Sequence, residues 1–251
     1  MKKITTLLFL LLSYFTFAQF SKTHYIPPLS GSNNVGAEEQ FMYISTPSTT
    51  PINFKIIQLG GTNVVGTVSR DNPYVFDIGF GTNTQLHVNA NFVSTIANNK
   101  GYIVEADDVV YVTVRVMAGN ANQAGQITSK GLAALGTRYR IGAFTNVDAP
   151  QYGVNHFTFV SILATENNTT VNFADIKPGV VLLNNELVGN NPLPVILNSG
   201  ESYVMAVQGP NEANRDGLIG ALITSDKPIA VNCGSFGGTN GEMSNLDIGF
   251  D

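Results

Sequence analysis

Hydrophobic and polar residues alternate along much of the chain in short runs of the kind that form β-strands. In VVYVTVRV at residues 109–116, Val110, Val112 and Val114 share one face, while Tyr111 and Thr113 share the other. Similar runs follow at a spacing of about 8–12 residues, which is typical of a β-sandwich. The predicted strands are residues 40–46, 52–59, 63–68, 74–79, 85–96 with a break, 101–105, 109–116, 157–164, 170–174, 179–183, 193–197, 201–207, 217–224 and 228–233.

The order of these runs repeats within the chain. Residues 41–57 align with residues 157–176, so that Phe41 falls on Phe157 and Phe54 falls on Phe173. Two further pairs of blocks follow the same order: residues 100–114 with 216–233, and residues 23–30 with 137–144. Three blocks at nearly constant spacing predict a tandem duplication.

The duplication predicts an all-β protein of two tandem β-sandwich domains, Ig-like or jelly-roll-like. The predicted domains are residues 19–135 and 136–251, and we expect the second to be truncated at its C-terminal end. The stretch 127–135 has the only helix-like pattern, and a glycine interrupts it, so it predicts a loop with a helical turn.

The N-terminus predicts export. Lys2 and Lys3 precede an apolar run that ends in small residues before Gln19, which is the pattern of a signal peptide over residues 1–18. No other apolar run is long enough to span a membrane. The formal charge is −5, and the 13 Lys and Arg residues are scattered, which argues against nucleic acid as a partner.

The chain contains one cysteine, Cys233, so no internal disulfide is available to an exported protein. Cys233, Gly234 and Ser235 match the start of the motif around the papain-like nucleophile. That motif continues with a second cysteine, where Phe236 stands here, and it needs a histidine downstream, whereas His156 is the last one. The alignment of the copies instead places Cys233 on Val114 and predicts a small buried side chain.

No other cluster predicts a cofactor or metal site. His24, His87 and His156 are widely separated, and the carboxylates lack the spacing of a calcium loop. Asp107 and its counterpart Asp226 each stand before a predicted strand, where aspartate favours a turn. We therefore expect no catalytic residues, no cofactor and no metal.

Three segments carry a family resemblance: FVSILATENNTTVNF at 159–173, LNSGESYV at 197–204 and RDGLIGALITSDKPIAVNCGS at 215–235. They resemble the N-terminal region of the IgGFc-binding family. The start FSKTHYIPP at residues 20–28 is similar to that of large secreted Bacteroidetes proteins, which usually end in a gliding-motility-associated, type IX secretion sorting domain. The resemblance implies a secreted or cell-surface binding protein of a Gram-negative bacterium, without catalytic residues. Immunoglobulin binding belongs to the mammalian member of the family.

Two glycine-rich loops are the candidate ligand site. They are predicted at residues 118–131 and 234–249, each directly after the last strand of its copy. If the copies share a fold, both loops leave the same end of their sandwiches, where recognition loops usually lie. The candidate ligand-contacting residues are Asn120, Asn122, Gln123, Ser235, Phe236 and Asn240.

The sequence therefore predicts a non-catalytic binding or adhesion module, whose ligand is an extracellular protein or a glycan. An N-terminal accessory domain of a secreted enzyme that acts on polysaccharide or peptide is the alternative from another class. A purely structural spacer is the third.

Overall fold

A computed structural model of the chain describes residues 20–34, 36–118, 123–146, 155–238 and 249–250. Nearly all of the regular secondary structure in these residues is β-strand, which confirms the predicted all-β class. The strands of the first copy are β1 (Ser21–Ile26), β2 (Leu29–Gly31), β3 (Ala37–Ser45), β4 (Ile52–Gln58), β5 (Val64–Val68), β6 (Tyr74–Phe80), β7 (His87–Asn89), β8 (Ile96–Ala97), β9 (Tyr102–Ala118) and β10 (Gln123–Thr128). Those of the second copy are β11 (Gly136–Arg140), β12 (Phe157–Ala164), β13 (Thr169–Ala174), β14 (Val195–Leu197), β15 (Ser202–Gln208), β16 (Leu222–Gly238) and β17 (Gly249–Phe250).

Helical structure in the described part of the chain is limited to short 3-10 turns, at Ala90–Phe92, Gly131–Ala134 and Glu212–Asn214. The second of these lies in the stretch predicted to be a loop with a helical turn. Within the described residues, no helix has the length and hydropathy needed to cross a membrane.

The long strand β9 organises the first copy. Its first half pairs with β1 and β4, and its second half pairs with β3 and β10. The described residues thus form a sheet in the order β5-β4-β9-β3-β6, with β1 and β10 also on β9. A strand that passes between two groups of partners turns the corner of a sandwich, so one connected sheet can enclose a core.

The second copy repeats this arrangement around β16. The first half of β16 pairs with β11 and β13, and its second half pairs with β12 and β17. The sheet order in the described residues is β14-β13-β16-β12-β15-β8. Each pair of strands in the first large sheet therefore has a counterpart in the second, and, apart from β8, the strands of the first large sheet precede those of the second along the chain.

The register corrects the block alignment by two residues. In the first copy Phe41 lies opposite Arg115, so the alignment of the blocks places Phe157 opposite Gly234. Phe157 instead lies opposite Phe236. Because side chains alternate between the faces with a period of two, this shift leaves every aligned residue on the predicted face.

Several predicted boundaries were wrong. The strands predicted at 101–105 and 109–116 are one strand, as are those at 217–224 and 228–233, the latter beginning at Leu222. Asp107 and Asp226 therefore lie within strands and not in turns. Their side chains explain the difference: Asp107 accepts a hydrogen bond from Asn53 Nδ2 at 2.7 Å, and Asp226 accepts one from Thr170 N at 2.8 Å. The neighbouring strand thus satisfies a carboxylate that would otherwise favour a turn.

The stretch 179–183 does not form a strand of the sheets, although its alternation predicts one. Leu182 makes a single isolated bridge to Val207, and Val180 and Leu182 pack into the second core. Conversely, β10 lies inside the stretch 118–131 that was predicted to be a loop. It pairs with β9 from Gln123 to Thr128, opposite Ala118 to Thr113.

Two neighbouring strands of the second sheet, β12 and β15, are buried on both faces. Phe157 and Phe159 of β12 pack into the core of the first copy, whereas Val160 and Ile162 of the same strand pack into the second core. Neighbouring β15 divides its residues in the same way: Val204 and Ala206 face the first core, and Tyr203 and Met205 face the second. The central strands of the second copy are therefore a layer shared by two cores.

Backbone pairing also joins the copies. The short strand β8 of the first copy extends the second sheet, with Ile96 opposite Tyr203 and Ala97 opposite Ser202. Ser94 N donates to Val204 O at 2.7 Å, and the Ser94 hydroxyl donates to Leu183 O at 2.8 Å. The two halves consequently share hydrogen bonds as well as apolar contacts.

Phe236 is the largest side chain that the end of β16 sends into the first core. Only 2% of it is exposed, and its ring lies edge-on to His87 at a centroid distance of 5.8 Å. A Cβ on Gly31 would stand 2.5 Å from the Phe236 ring, so the glycine of β2 provides the space for it. Phe236 thus packs the end of β16 of the second copy against the strand pair formed by β2 and β7.

We predict that Phe236→Ala destabilises the whole chain, because it removes a buried ring and leaves a cavity between the copies. The expected loss is about 3–5 kcal/mol in the free energy of unfolding, measured by urea titration. Phe80→Ala is the matched control, since Phe80 is 73% exposed on β6. A small effect of Phe236→Ala, similar to that of the control, would contradict the role of the ring.

His87 is a buried histidine at the same junction. Its Nδ1 donates to Thr82 O at 3.2 Å, and its Nε2 has no hydrogen-bond partner among the described residues. Burial, with a smaller effect from the charge of Lys100, lowers the pKa of His87 from 6.5 to about 4. The folded protein therefore keeps this ring neutral, and protonation opposes folding.

We predict that His87 makes stability depend on pH. Its pKa is lower in the folded than in the unfolded state, so the unfolded chain takes up the proton first as the pH falls. Neutral His87 makes its full contribution to the free energy of unfolding above about pH 6.5. This contribution falls by about 3 kcal/mol as the pH decreases to 4. Urea titrations between pH 7 and 4.5 should show a smaller decrease for His87→Gln than for the original chain. The same pH dependence in both proteins would exclude His87 as the cause.

Candidate ligand-binding groove

The two copies carry equivalent hairpins, β9–β10 and β16–β17. Residues 119–122 connect the first, and residues 239–248 connect the second. The predicted ligand residues Asn120, Asn122 and Asn240 therefore lie outside the described residues. The backbone of Gln123 begins β10, opposite Ala118. The strands β10 and β17 contact each other, so the two hairpins lie side by side.

The placement of Ser235 and Phe236 in a loop was wrong. Both belong to β16, where they pair with Thr158 and Phe157, and each is 2% exposed. The Ser235 hydroxyl lies 3.2 Å from the hydroxyl of Thr158. Pairing with β12 thus carries β16 past Gly234, where the glycine content predicted a loop. The two residues border a groove from its inner side.

This groove lies between β10 of the first copy and β16 of the second. It has a volume of about 270 Å³, and Val114, Val116 and Phe159 form part of its apolar floor. Residues 125–128 of β10 form one wall, and Asn232, Cys233 and Ser235 contribute to the other. The described residues that line this cavity of about 270 Å³ are uncharged, whereas Lys130 lines the adjoining smaller cavity.

A smaller cavity of about 130 Å³ continues the groove along the same two strands. The two cavities share Val114, Ile127, Thr128 and Asn232 in their linings, so they form one continuous depression. Within the larger cavity the lining includes Val116 and Phe236, and within the smaller one it includes residues 129–131 and 230–231. The groove therefore runs along both strands, away from the ends that carry the hairpin connections.

Strand edges flank the groove on both sides. Of the described strands, only β9 pairs with β10, so the other edge of β10 is open. The β16 edge that faces away from β12 pairs with β11 at Ile229 and with β17 at Phe236. Between these two points, residues 230–235 have no strand on that edge in the described part of the chain. Open strand edges present backbone donors and acceptors to a ligand.

One buried polar atom of the groove lacks a partner. Asn232 Nδ2 is inaccessible to solvent and has no hydrogen-bond partner among the described residues. A buried amide without a partner is unfavourable and calls for an explanation, for which a ligand is one candidate. Asn232 lines both cavities, but Nδ2 itself is inaccessible to solvent, so a ligand reaches this donor only if the side chain moves.

Cys233 packs with Val231 against the second core, on the face predicted by its alignment with Val114. Gly142 N donates to its Sγ at 3.4 Å. Burial raises the pKa of the thiol, so the reactive thiolate is disfavoured at neutral pH. Within the described residues, no group of three His, Cys, Asp or Glu side chains could hold a metal ion.

The model of one known family, described as IgGFc binding protein, matches residues 126–251, about half of the chain. The chain belongs to the IgGFc-binding protein family. No curated protein and no solved structure matches it. The IgGFc-binding match begins within β10 and includes all of β16, so it spans both walls of the groove.

The groove was missed by sequence reasoning because neither copy forms it alone. Its walls are strands from different copies, and their approach depends on the shared layer of β12 and β15. One signal was present: Val114 and Cys233 are aligned, and both line the groove. The aligned apolar positions on the last strand of each copy identify these two residues, whereas the glycine-rich pattern points to the residues that follow them.

We predict that Asn232→Leu leaves the free protein equally stable or more stable, by up to about 1–2 kcal/mol, because it replaces an unpaired buried amide with an apolar side chain of similar size. Asn214→Leu is the matched control. Asn214 is buried and Asn232 is half-buried, and the Asn214 amide donates to Val181 O at 3.1 Å and to Gln208 O at 2.8 Å. Thermal unfolding should show a loss for the control alone. A comparable loss for Asn232→Leu would mean that this amide does have a partner.

Proposed function

We propose that the chain is a non-catalytic extracellular binding module whose ligand is a protein, bound in the groove between β10 and β16. The single observation that carries this proposal is the groove itself. It has an apolar floor, two strand edges that no described strand covers and a buried amide without a partner among the described residues, and most of both its walls, from Gln126 onward, lie within the part matched by the IgGFc-binding family. Such a combination of apolar surface and a few polar groups is typical of binding sites.

A protein ligand fits the groove better than a glycan. The lining of the larger cavity is uncharged and combines four aliphatic side chains and two phenylalanines with four uncharged polar residues, along two strand edges. Backbone edges pair with other polypeptides, whereas sugar rings have no complementary ladder of donors and acceptors. The family description names immunoglobulin Fc, which makes Fc the first protein to test.

The proposed location is outside the cell, on the outer surface of a Gram-negative bacterium or released from it. The signal peptide pattern of residues 1–18 supports export. The resemblance of residues 20–28 to large secreted Bacteroidetes proteins supports the surface location and a type IX secretion route. We infer that the chain acts there in adhesion, without a cofactor.

The test is a binding experiment with residues 19–251. Immobilised protein is probed with purified immunoglobulin G Fc, with other purified extracellular proteins and with glycans. We predict saturable binding of a protein, and at least a tenfold loss with Gln126→Trp, which places a large ring at the groove. Ile196→Trp is the matched control, since Ile196 is exposed on β14, at the far edge of the second sheet.

Each outcome decides between the candidate functions. Binding of Fc or of another protein that Gln126→Trp abolishes supports the proposal. Binding of glycans alone, or protein binding that Gln126→Trp does not change, contradicts it. No binding at all would leave the chain as a structural spacer.

A further inference from the structure

A separate cavity lies where β8 joins the first copy to the second sheet. It has a volume of about 290 Å³, and none of its described lining residues belongs to the groove. Its walls come from β7, from the 3-10 turn that follows β7 and from residues 95–100, between that turn and β9. The volume is close to the lower limit of small-molecule sites, about 300 Å³, so the cavity suits a ligand the size of one ring.

The walls of this cavity are fixed by hydrogen bonds within the protein. Gln85 Nε2 donates to Asn99 O at 2.9 Å, which holds the wall in front of β9. Asn89 Oδ1 accepts from Asn91 N at 3.0 Å and so caps the turn that carries Phe92. The remaining wall contains β8, which is paired with β15. A cavity that is formed in advance spares a ligand the cost of ordering its binding site.

The apolar part of the lining includes two exposed side chains. Phe92 is 66% exposed and Ile96 is 49% exposed, and both line the cavity. The turn and β8 hold these side chains at the surface, so a ligand can cover them without a rearrangement of the backbone. An exposed ring beside polar groups suits a ligand that has one apolar face. A sugar ring is such a ligand, because its C–H bonds form an apolar face and its hydroxyls project from its edge.

Amides dominate the polar part of the lining. Asn83, Asn98 and Asn99 are exposed and line the cavity, and their side-chain amides have no hydrogen-bond partner among the described residues. Each amide offers two donors and one acceptor oxygen. Neighbouring hydroxyls of a sugar ring offer the complementary set, since each hydroxyl both donates and accepts. The amides can therefore recognise hydroxyls without carrying a charge.

Lys100 is the one charged residue among the described lining residues, so no carboxylate there balances it. Lys100 is half-buried, and its Nζ donates to Thr84 O at 2.5 Å. It forms no ion pair with a described residue. Burial lowers the pKa of Lys100, because its surroundings disfavour the charge. An ammonium has three donors, so this one can also bind an anion that enters the cavity.

We propose that this cavity binds an acidic sugar residue of a glycan, with the ring against Phe92 and the carboxylate on Lys100. The asparagine amides bind the hydroxyls. A carboxylate side chain of a peptide would satisfy the cation alone, since it brings neither a ring nor adjacent hydroxyls. The inference goes beyond the proposed function and does not rest on it: the chain holds a protein in the groove and an acidic glycan at a second site.

The test measures the binding of acidic sugars to residues 19–251 by titration calorimetry. The probes are oligosaccharides that contain glucuronic, galacturonic, mannuronic or sialic acid, each compared with its own methyl ester. The ester keeps the ring and the hydroxyls but removes the charge. We predict that at least one of the acids binds about tenfold more tightly than its ester, because a hydrogen bond between two charged groups is lost in the ester.

Lys100→Gln should remove the preference for the acid over the ester. Glutamine keeps a donor for Thr84 O and loses the charge, so the fold is retained. Lys227→Gln is the matched control, because Lys227 is also half-buried, also donates to a backbone carbonyl, that of Asn167, and does not line the cavity. The control should leave both affinities unchanged.

Phe92→Ala should weaken the acid and its ester alike, by about fivefold, because it removes the apolar surface under the ring and no charge. Phe80→Ala is the matched control, since Phe80 is 73% exposed on β6 and does not line the cavity. Thermal unfolding of each variant shows whether the fold is intact. An unchanged affinity of Phe92→Ala would contradict the proposed position of the ring.

Three other results would overturn the site. They are binding of none of the acids, equal affinities for every acid and its ester, and an undiminished preference for the acid in Lys100→Gln. Hexaglutamate is included as an acidic peptide. If it alone binds, in a manner that depends on Lys100, the cavity recognises a protein carboxylate and the proposal is wrong.

The failure of this inference and that of the proposed function are distinguishable. Gln126→Trp lies in the groove and should not change the binding of acidic sugars. If a protein binds in a manner sensitive to Gln126→Trp and no acidic sugar binds, only the second site is wrong. If acidic sugars bind in a manner sensitive to Lys100→Gln and no protein binds, the second site stands and the proposed function is wrong.

Discussion

The structure depends on two neighbouring β-strands, β12 and β15, that are buried on both faces. Strands β12 and β15 give alternate side chains to two different cores, so neither core is complete without the central layer of the second copy. A sheet covered on both faces cannot slip in register without moving one whole set of apolar residues into the wrong core. This constraint fixes the relative position of the two copies. It also explains how Phe236, at the end of β16, reaches the pair formed by β2 and β7.

The groove follows from the same constraint. Because the shared layer holds the second copy against the first, β10 and β16 lie near each other with only β17 between them at one end. Phe157 and Phe159 of β12 are buried in the first core, and the packing of this strand therefore sets the relative position of the two groove walls.

Much of the fold was predictable from the sequence because strand patterns are local. Alternation identified β3, β4, β6, β12 and β13 to within a few residues, and the internal alignment identified which strands are equivalent. The errors arose where tertiary contacts override local preference. Asp107 favours a turn in isolation, yet a hydrogen bond from Asn53 keeps it in a continuous strand. The stretch around Leu182 has the alternation of a strand, yet Leu182 packs into the second core and makes only an isolated bridge to a neighbouring strand.

The candidate site was less predictable, for a physical reason. Turn-forming residues are visible directly in the sequence, and they predict a ligand site at the hairpin connections. A groove between two strands is not encoded by any one segment, since it arises from where the copies pack and from which edge stays unpaired. The unpaired amide of Asn232 could not be recognised either, because an asparagine in a strand has a partner in most folds. The duplication offers the remaining clue, because Val114 and Cys233 are aligned and both line the groove.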